Sequence, residues 1–223
     1  RAAMMATMQH QPLRGTRVTK KELAYPAAFS GVAGQRLADF VALTKPRLNL
    51  LVVATAGVGY FLGAGAEPDL ATLVEVATGI ALVAGGAAGL NQIYERETDS
   101  LMWRTRTRPL AAQRVTTTEA MIFSLTLAVL GLALVAATSN LLAAFLALMT
   151  LISYNVVYTP MKRRHQLATL VGAVPGALPP MIGWVAARGA LTPEAWALFA
   201  IVFVWQIPHF MAIAWLYRDD FRR

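Results

Sequence analysis

Three polar side chains near the middle of the chain recur at helical spacing. Asn91, Glu95 and Asp99 follow one another at intervals of four residues, so a helix would carry them on one face. Hard divalent cations such as Mg²⁺ prefer oxygen ligands and commonly use one or two carboxylates together with substrate phosphates. The spacing therefore predicts a magnesium site, in which Glu95 and Asp99 bind the metal and Asn91 orients a ligand or a phosphate oxygen.

Arginines follow this acidic face within one short segment. Arg104, Arg106 and Arg108 all lie within nine residues of Asp99. Their guanidinium groups are fixed cations whose donors match phosphate oxygens. Carboxylates for a metal beside cations for an anion form the arrangement that a bound diphosphate requires.

The alternative is a solvated helix end whose acids and bases pair with one another. An ordinary soluble helix would favour that interpretation. Here the acids lie at the end of a long apolar stretch, where ionisable groups are costly and usually functional. We therefore predict a functional role for Glu95 and Asp99, but not for Glu97, which points to another face of the helix.

The composition shows what kind of element must position these residues. The chain has 223 residues, of which 57% are hydrophobic and 14% charged, and its mean hydropathy is +0.51. Soluble domains usually carry about 25% charged residues. The chain therefore needs a second apolar solvent, and hydrocarbon is the simplest one. The absence of cysteine excludes disulfides, thiolate metal sites and cysteine nucleophiles.

Six stretches qualify, or nearly so, as membrane-crossing helices. They predict an all-α transmembrane bundle, because open sheet edges are not tolerated in lipid. The predicted spans cover residues 48–66, 70–90, 120–137, 141–157, 168–187 and 195–216. In the second span, Gly85 and Gly89 form a G-x-x-x-G pair that lets helix backbones approach closely. In the fifth span, Pro175, Pro179 and Pro180 predict a kink or a break beside a cavity.

The basic residues lie almost entirely on one side of these spans. Of the 20 Lys and Arg residues, 19 fall in the N-terminus, the 91–119 loop, the 158–167 loop and the C-terminus, and Arg188 falls on the opposite side. The positive-inside rule then puts the N-terminus in the cytoplasm. Because the net charge of +8 is spread over short loops between spans, we do not expect a nucleic-acid partner.

The N-terminal segment differs from the rest of the chain. Residues 1–40 carry basic side chains, few acids and no sustained apolar run. A secretory signal needs an apolar core, so this segment is not one, although an organellar transit peptide stays open. We predict a flexible cytoplasmic tail over residues 1–40 and one membrane domain over residues 41–223.

The acidic segment resembles a motif of a known family. Asn-x-x-x-Glu-x-x-x-Asp at 91–99, followed by Met-x-Arg-Thr-x-x-Arg-Pro at 102–109, is similar to the first aspartate-rich motif of the UbiA superfamily of intramembrane prenyltransferases. Glu95 stands where many members have aspartate, and it keeps the charge with one more methylene. Three further segments resemble the branch of that superfamily that farnesylates haem b: LTKPR at 43–47, PPMIGW at 179–184 and WQIPHF at 205–210.

The resemblance implies farnesyl diphosphate and haem b as substrates and Mg²⁺ as cofactor. It also implies a second acidic motif after the sixth span, and Asp219 and Asp220 supply it as further metal ligands facing Glu95 and Asp99. The other expected contacts are Arg104, Arg108, Lys162 and Arg163 for the diphosphate, Tyr94, Tyr154 and Tyr158 as aromatic shields of the allylic cation, and His209, Lys45 and Arg47 for haem. His209 has the alternative of a hydrogen bond between helices, and Lys45 and Arg47 have that of topology anchors.

The family has about nine helices and six are predicted here, so we expect a C-terminally incomplete domain. The expected location is the cell inner (plasma) membrane, with the mitochondrial inner membrane as the alternative. An association with haem A synthase or oxidase assembly factors is compatible with the resemblance.

Two other functions stay open. The first is a UbiA-type enzyme that acts on an aromatic quinone precursor. The second is a cation transporter that uses Glu95, Asp99 and Asp219. A transporter predicts carboxylates near mid-bilayer, whereas these acids lie at the ends of spans beside arginines.

Overall fold

The computed structural model describes residues 31–162 and 167–216, and within these ranges the chain is helical and contains no strand. The helices are α1 Val32–Leu43, α2 Pro46–Ala64, α3 Leu70–Leu101, α4 Thr117–Thr138, α5 Leu141–Ile152, α6 Thr159–Met161, α7 Ala168–Arg188 and α8 Pro193–Leu216. A π-helical turn, Ser153–Tyr158, joins α5 and α6 into one continuous segment.

The predicted bundle of six membrane-length helices is confirmed. Helices α2, α3, α4, α7 and α8 and the joined α5–α6 segment are each long and apolar enough to cross a bilayer. Large apolar side chains cover their outer surfaces; Leu50, Val129 and Ile201, for example, are 68%, 63% and 66% exposed. Water-exposed surfaces seldom carry so much contiguous apolar area, so this surface suits hydrocarbon.

Helix α3 carries the acidic face beyond the predicted span. The apolar stretch ended at residue 90, but the helix continues without interruption to Leu101. At its other end, Asp69 caps the helix by accepting a hydrogen bond from the Ala71 N–H at 3.0 Å. One rigid element therefore crosses the membrane and presents the candidate site.

Glycines bring α3 close to its neighbours. A Cβ atom at Gly86 would lie 2.5 Å from the carbonyl oxygen of Ser124 on α4, so no larger residue fits there without movement. Of the predicted glycine pair, Gly85 lies against Thr44 and Gly89 against Ser124. This side of α3 is thus fixed against both α4 and the segment that leads into α2.

Helix α7 packs against α2, α5 and α8. A Cβ atom at Gly183 would lie 1.8 Å from the Ala56 carbonyl oxygen of α2. Pro175, Pro179 and Pro180 lie inside the helix, which runs from end to end, so of the predicted kink or break the break does not occur. Packing against neighbouring helices compensates for the backbone hydrogen bonds that the prolines remove.

Helix α1 was not anticipated from the sequence, because its 12 residues are too few for a span. The predicted tail boundary at residue 40 falls inside it. Its last residue, Leu43, is fully buried in a small apolar cluster with Leu110, Val115 and Ala120. The cluster fixes α1 at the end of the bundle where α2 begins and α3 ends, which we call the basic end.

Candidate active site

The three predicted polar residues of α3 lie on one buried face. Asn91, Glu95 and Asp99 are only 1%, 7% and 2% exposed. A buried carboxylate is costly unless it is paired with opposite charge and hydrogen-bonded. The partners of these side chains therefore define the chemistry of the site.

Each carboxylate of this face is paired with its own cation. Lys162, which directly follows α6, forms an ion pair with Glu95. Arg108, from the loop after α3, places its Nη1 2.6 Å from Asp99 Oδ2. Both cations are predicted diphosphate contacts, and in the structure both lie at the carboxylates.

Lys45 is a third cation at the same face. Its Nζ donates a hydrogen bond to Asn91 Oδ1 at 3.0 Å. The residue has a left-handed backbone conformation, with φ 50° and ψ 60°, directly before Pro46 begins α2. Burial and the Arg108 cation lower the pKa of Lys45 from 10.5 to about 8, although the Glu95 carboxylate acts in the opposite direction. Lys45 was expected to contact haem or to anchor the topology, but it lies among the residues of the acidic motif.

A hydrogen-bond chain links α3 to the π-helical turn. Asn91 Nδ2 donates to Thr159 Oγ1 at 3.1 Å, and Thr159 Oγ1 donates to the Tyr154 carbonyl oxygen at 2.7 Å. In the π-helical turn the same carbonyl also accepts a hydrogen bond from the Thr159 backbone N–H, and such turns are frequent at functional sites. Thr159 was not predicted, since no spacing rule relates it to α3 and only the packing of the two helices reveals it.

Arg108 is positioned by a compact loop that we call the arginine loop, residues 102–115. Thr105 Oγ1 donates to the Asp99 carbonyl oxygen at 3.0 Å, and the Arg108 N–H donates to the Thr105 carbonyl oxygen at 2.9 Å. These bonds fold the loop back onto the end of α3. Arg104 in the same loop is exposed.

A cavity of about 480 Å³ extends into the bundle from the region of the acidic face of α3. Lys45 and Lys162 lie at its basic end, and apolar side chains form most of the remaining wall. Five helices line the cavity, and on each of them one lining residue lies farthest from the basic end. We call these five residues the floor: Thr55, Ile80, Ala147, Ile182 and Val202. Between Lys45 and Thr55, which both line the cavity, the chain rises roughly 15 Å, so the cavity can hold an extended apolar chain.

Aromatic residues line one side of this cavity. Tyr154 and Tyr158 stack with their ring centroids 5.6 Å apart. His209 on α8 stacks on Trp205, with ring centroids 4.7 Å apart and planes 15° from parallel. All four side chains line the cavity, so the two tyrosines and the histidine share one compartment.

Other predicted residues do not reach the cavity. Tyr94 is 45% exposed and does not line it. Its neighbour Glu95 is buried, because consecutive helix positions point about 100° apart. Arg47 and Arg104 are exposed and do not line it either. The predicted residues Arg163, Asp219 and Asp220 lie outside the described residues.

The carboxylates suit a magnesium ion that shares its ligands with a substrate. In residues 31–162 and 167–216, no three His, Cys, Asp or Glu side chains gather closely enough to hold a metal by themselves. Glu95 and Asp99 offer two hard oxygen donors, and Mg²⁺ commonly takes one or two carboxylates plus phosphate oxygens. An arriving diphosphate would also offer new partners to the cations that now neutralise these carboxylates.

Comparison with known proteins gives consistent sequence matches. The model of the UbiA prenyltransferase family matches residues 50–223. A protoheme IX farnesyltransferase of Solibacter usitatus is 45% identical over 194 residues, covering 83% of this chain and 66% of that protein. One of Koribacter versatilis is 47% identical and covers 83% and 61%. The mitochondrial one of Arabidopsis thaliana is 42% identical and covers 87% and 46%. The chain thus spans less than two thirds of the length of these relatives.

Solved structures show the same fold. A digeranylgeranylglyceryl phosphate synthase has a TM-score of 0.68 and 20% sequence identity, over 76% of this chain and 59% of that one. A UbiA homologue of Archaeoglobus fulgidus, bound to GPP and Mg²⁺, has a TM-score of 0.66 and 21% identity, over 81% and 65%. At these identities the likeness concerns the arrangement of the helices.

Proposed function

Because this chain belongs to the UbiA prenyltransferase family, we propose that it acts as a protoheme IX farnesyltransferase, which transfers the farnesyl group of farnesyl diphosphate to a vinyl group of haem b and so forms haem O and diphosphate. Relatives of that name, 42–47% identical to this chain, support the choice of acceptor. The complete protein is taken to carry the activity, since this chain spans only part of its relatives.

One observation carries the proposal: a buried face with two carboxylates and three cations lies at one end of a long apolar cavity. The polar end matches a diphosphate and the apolar remainder matches a prenyl tail. Few other ligands combine a compact multivalent anion with such a tail. A cation pathway would not place Lys45, Arg108 and Lys162 beside its carboxylates.

The cations of the site bind the diphosphate. Arg108 and Lys162 exchange their present carboxylate partners for phosphate oxygens, and Lys45 donates from the opposite wall of the cavity. Charge-assisted hydrogen bonds of this kind are stronger than neutral ones. They hold the C1–O bond of the donor beside the cavity and stabilise the leaving group as its charge grows.

Glu95 and Asp99 would hold Mg²⁺, with Asp219 and Asp220 completing the site from the second acidic motif. The bound ion supplies electrostatic stabilisation of the departing diphosphate. Asn91, held between Lys45 and Thr159, orients this end of the site. The GPP and Mg²⁺ in the Archaeoglobus fulgidus homologue support the same pairing of ligand and metal here.

The cavity accommodates the tail and the acceptor. Rupture of the C1–O bond leaves an allylic cation, and the π faces of Tyr154 and Tyr158 lie where they can stabilise it. The haem vinyl group attacks C1, and water then captures the resulting cation to give the hydroxyethylfarnesyl product. His209 on the cavity wall is the proposed contact to haem.

The chain is a multi-pass membrane protein by its six membrane-length helices. We place it in the cell inner membrane, with the mitochondrial inner membrane as the alternative, and association with haem A synthase or oxidase assembly factors belongs to the same proposal.

An acceptor experiment tests the proposal directly. Membranes that contain the full-length protein are incubated with labelled farnesyl diphosphate and Mg²⁺, with either haem b or 4-hydroxybenzoate as acceptor. We expect label to appear in haem O. Label on 4-hydroxybenzoate and none on haem would identify an enzyme that prenylates quinone precursors instead.

A further inference from the structure

A third ion pair, between a buried aspartate and a partly exposed arginine, lies behind the site, where α1 meets the arginine loop. Asp39 of α1 is 4% exposed. Arg114 places its Nε 2.9 Å and 3.1 Å from the two carboxylate oxygens of Asp39. Neither residue lines the cavity.

Arg114 links this pair to the backbone of Arg108. Its Nη2 donates to the Thr107 carbonyl oxygen at 3.1 Å. That carbonyl belongs to the peptide group that leads directly into Arg108, whose guanidinium pairs with Asp99. A single guanidinium therefore ties α1 to the point at which the loop presents its active-site cation.

The surroundings make this connection rigid. Leu43, Leu110 and Val115 are at most 6% exposed and pack together between α1 and the loop. Loss of Arg114 would leave Asp39 as a buried, unpaired charge, which is strongly unfavourable. The exposed ion pair of Arg36 with Glu119 joins α1 to α4. In the part of the chain that the structure describes, neither residue forms a hydrogen bond or an ion pair with the arginine loop, so this pair offers a matched comparison.

From this geometry we propose that Asp39 and Arg114 are positioning residues for diphosphate binding. They hold the arginine loop in the conformation in which Arg108 reaches the phosphate oxygens. The inference rests on the proposed function, since it requires a diphosphate beside Asp99. It predicts that Asp39, although it touches no substrate, acts through Arg108.

The test measures binding of inorganic pyrophosphate with Mg²⁺ to the full-length protein by calorimetry. Asp39→Asn should weaken binding about tenfold or more, as is common for residues that orient a ligand group. Arg36→Gln, the matched control on α1, should bind like the wild type. Arg114→Lys keeps the charge beside Asp39, but its single nitrogen does not reach both Asp39 and the Thr107 carbonyl oxygen as the guanidinium does, so this variant should weaken binding as well. It serves as the second variant if Asp39→Asn fails to fold.

A double-mutant cycle separates positioning from a general loss of stability. If Asp39 acts through Arg108, Asp39→Asn should add no further loss in an Arg108→Gln background. Equal losses in both backgrounds would overturn the inference, and so would wild-type affinity in both Asp39→Asn and Arg114→Lys. A wild-type protein that binds no pyrophosphate would instead refute the proposed function, and this inference with it.

Discussion

At the scale of single residues, the site is defined by which cation meets which carboxylate. Glu95 pairs with Lys162 and Asp99 with Arg108, and both carboxylates are almost completely buried. These contacts satisfy the charges without a ligand. Together with Lys45, which is bonded to Asn91, the two paired cations lie within reach of any anion that enters the polar end of the cavity.

Asp99 should be indispensable for the transfer. We expect Asp99→Ala in the full-length protein to lower kcat about 100-fold or more, since both the proposed metal ligand and the partner of Arg108 are lost. The assay follows haem O formation in membranes. Glu97→Gln, an exposed acid two residues away on another face of α3, should retain wild-type activity. An undiminished rate in Asp99→Ala would contradict the assigned role.

Lys45 predicts a pH dependence of anion binding. Its pKa of about 8 lies below the ordinary value of 10.5, because of its burial and the Arg108 cation, although Glu95 and Asp99 oppose that shift and Lys162 adds to it. The side chain is therefore charged below about pH 8 and loses its proton as the pH rises through that value. Pyrophosphate affinity, measured by calorimetry, should fall over this interval.

The control for this dependence is Lys45→Arg, because arginine stays charged throughout. Its pyrophosphate affinity should fall less steeply with pH than that of the wild type. Identical pH profiles for the two proteins would show that another group titrates.

The sequence identified the residues whose chemistry depends on local spacing. Asn91, Glu95 and Asp99 share one helical face because they repeat every four positions, and the structure shows that face. Lys45 and Thr159 reach it from other elements, so their contacts with Asn91 depend on how α2 and the π-helical turn pack against α3.

At the scale of secondary structure, the length of the cavity follows from the register of its helices. The floor residues lie on five different helices, and Thr55 is the floor residue of α2. A larger side chain there should shorten the space for a prenyl tail.

Thr55→Phe should therefore shift donor preference toward a shorter chain. We expect the kcat/KM ratio of geranyl to farnesyl diphosphate to rise about tenfold or more, a typical effect of pocket size on specificity. Ala54→Phe, at the neighbouring exposed position of α2, should leave the ratio unchanged. If both variants kept the wild-type ratio, Thr55 would not limit the tail.

The contact of α7 with α2 depends on glycine. A Cβ atom at Gly183 would lie 1.8 Å from a backbone oxygen of α2, so Gly183→Ala must push the two helices apart. Overpacking of this kind costs about 1–3 kcal/mol, and thermal unfolding in detergent should show a lowered Tm. Gly57→Ala, which meets nothing within 4 Å, should not lower it. Equal Tm values for the two variants would contradict the packing argument.

At the scale of the whole molecule, composition and charge distribution predicted the six-span bundle, because hydrocarbon demands long apolar helices. They did not reveal α1, whose position depends on a buried apolar cluster and on ion pairs to the arginine loop and to α4. They left open whether the three prolines of α7 kink or break it, and the helix is unbroken because packing against its neighbours stabilises that conformation.

The orientation of the bundle can be tested with single cysteines, since residues 1–223 contain none and any cysteine elsewhere in the full-length protein can first be replaced by serine. We expect a membrane-impermeant thiol reagent to label Glu67→Cys in intact bacterial cells expressing the full-length protein. Arg106→Cys, in the arginine loop, should be labelled only after permeabilisation. The positive-inside rule requires this difference, and labelling of both residues from outside would contradict the topology.

The cavity keeps its charged contacts at one end and its floor at the other, and the two sets have no residue in common. Selection can therefore alter them separately. A lineage could lengthen or shorten the hydrocarbon it accepts by exchanging a single floor side chain, while the ionic machinery that cleaves the donor is inherited unchanged.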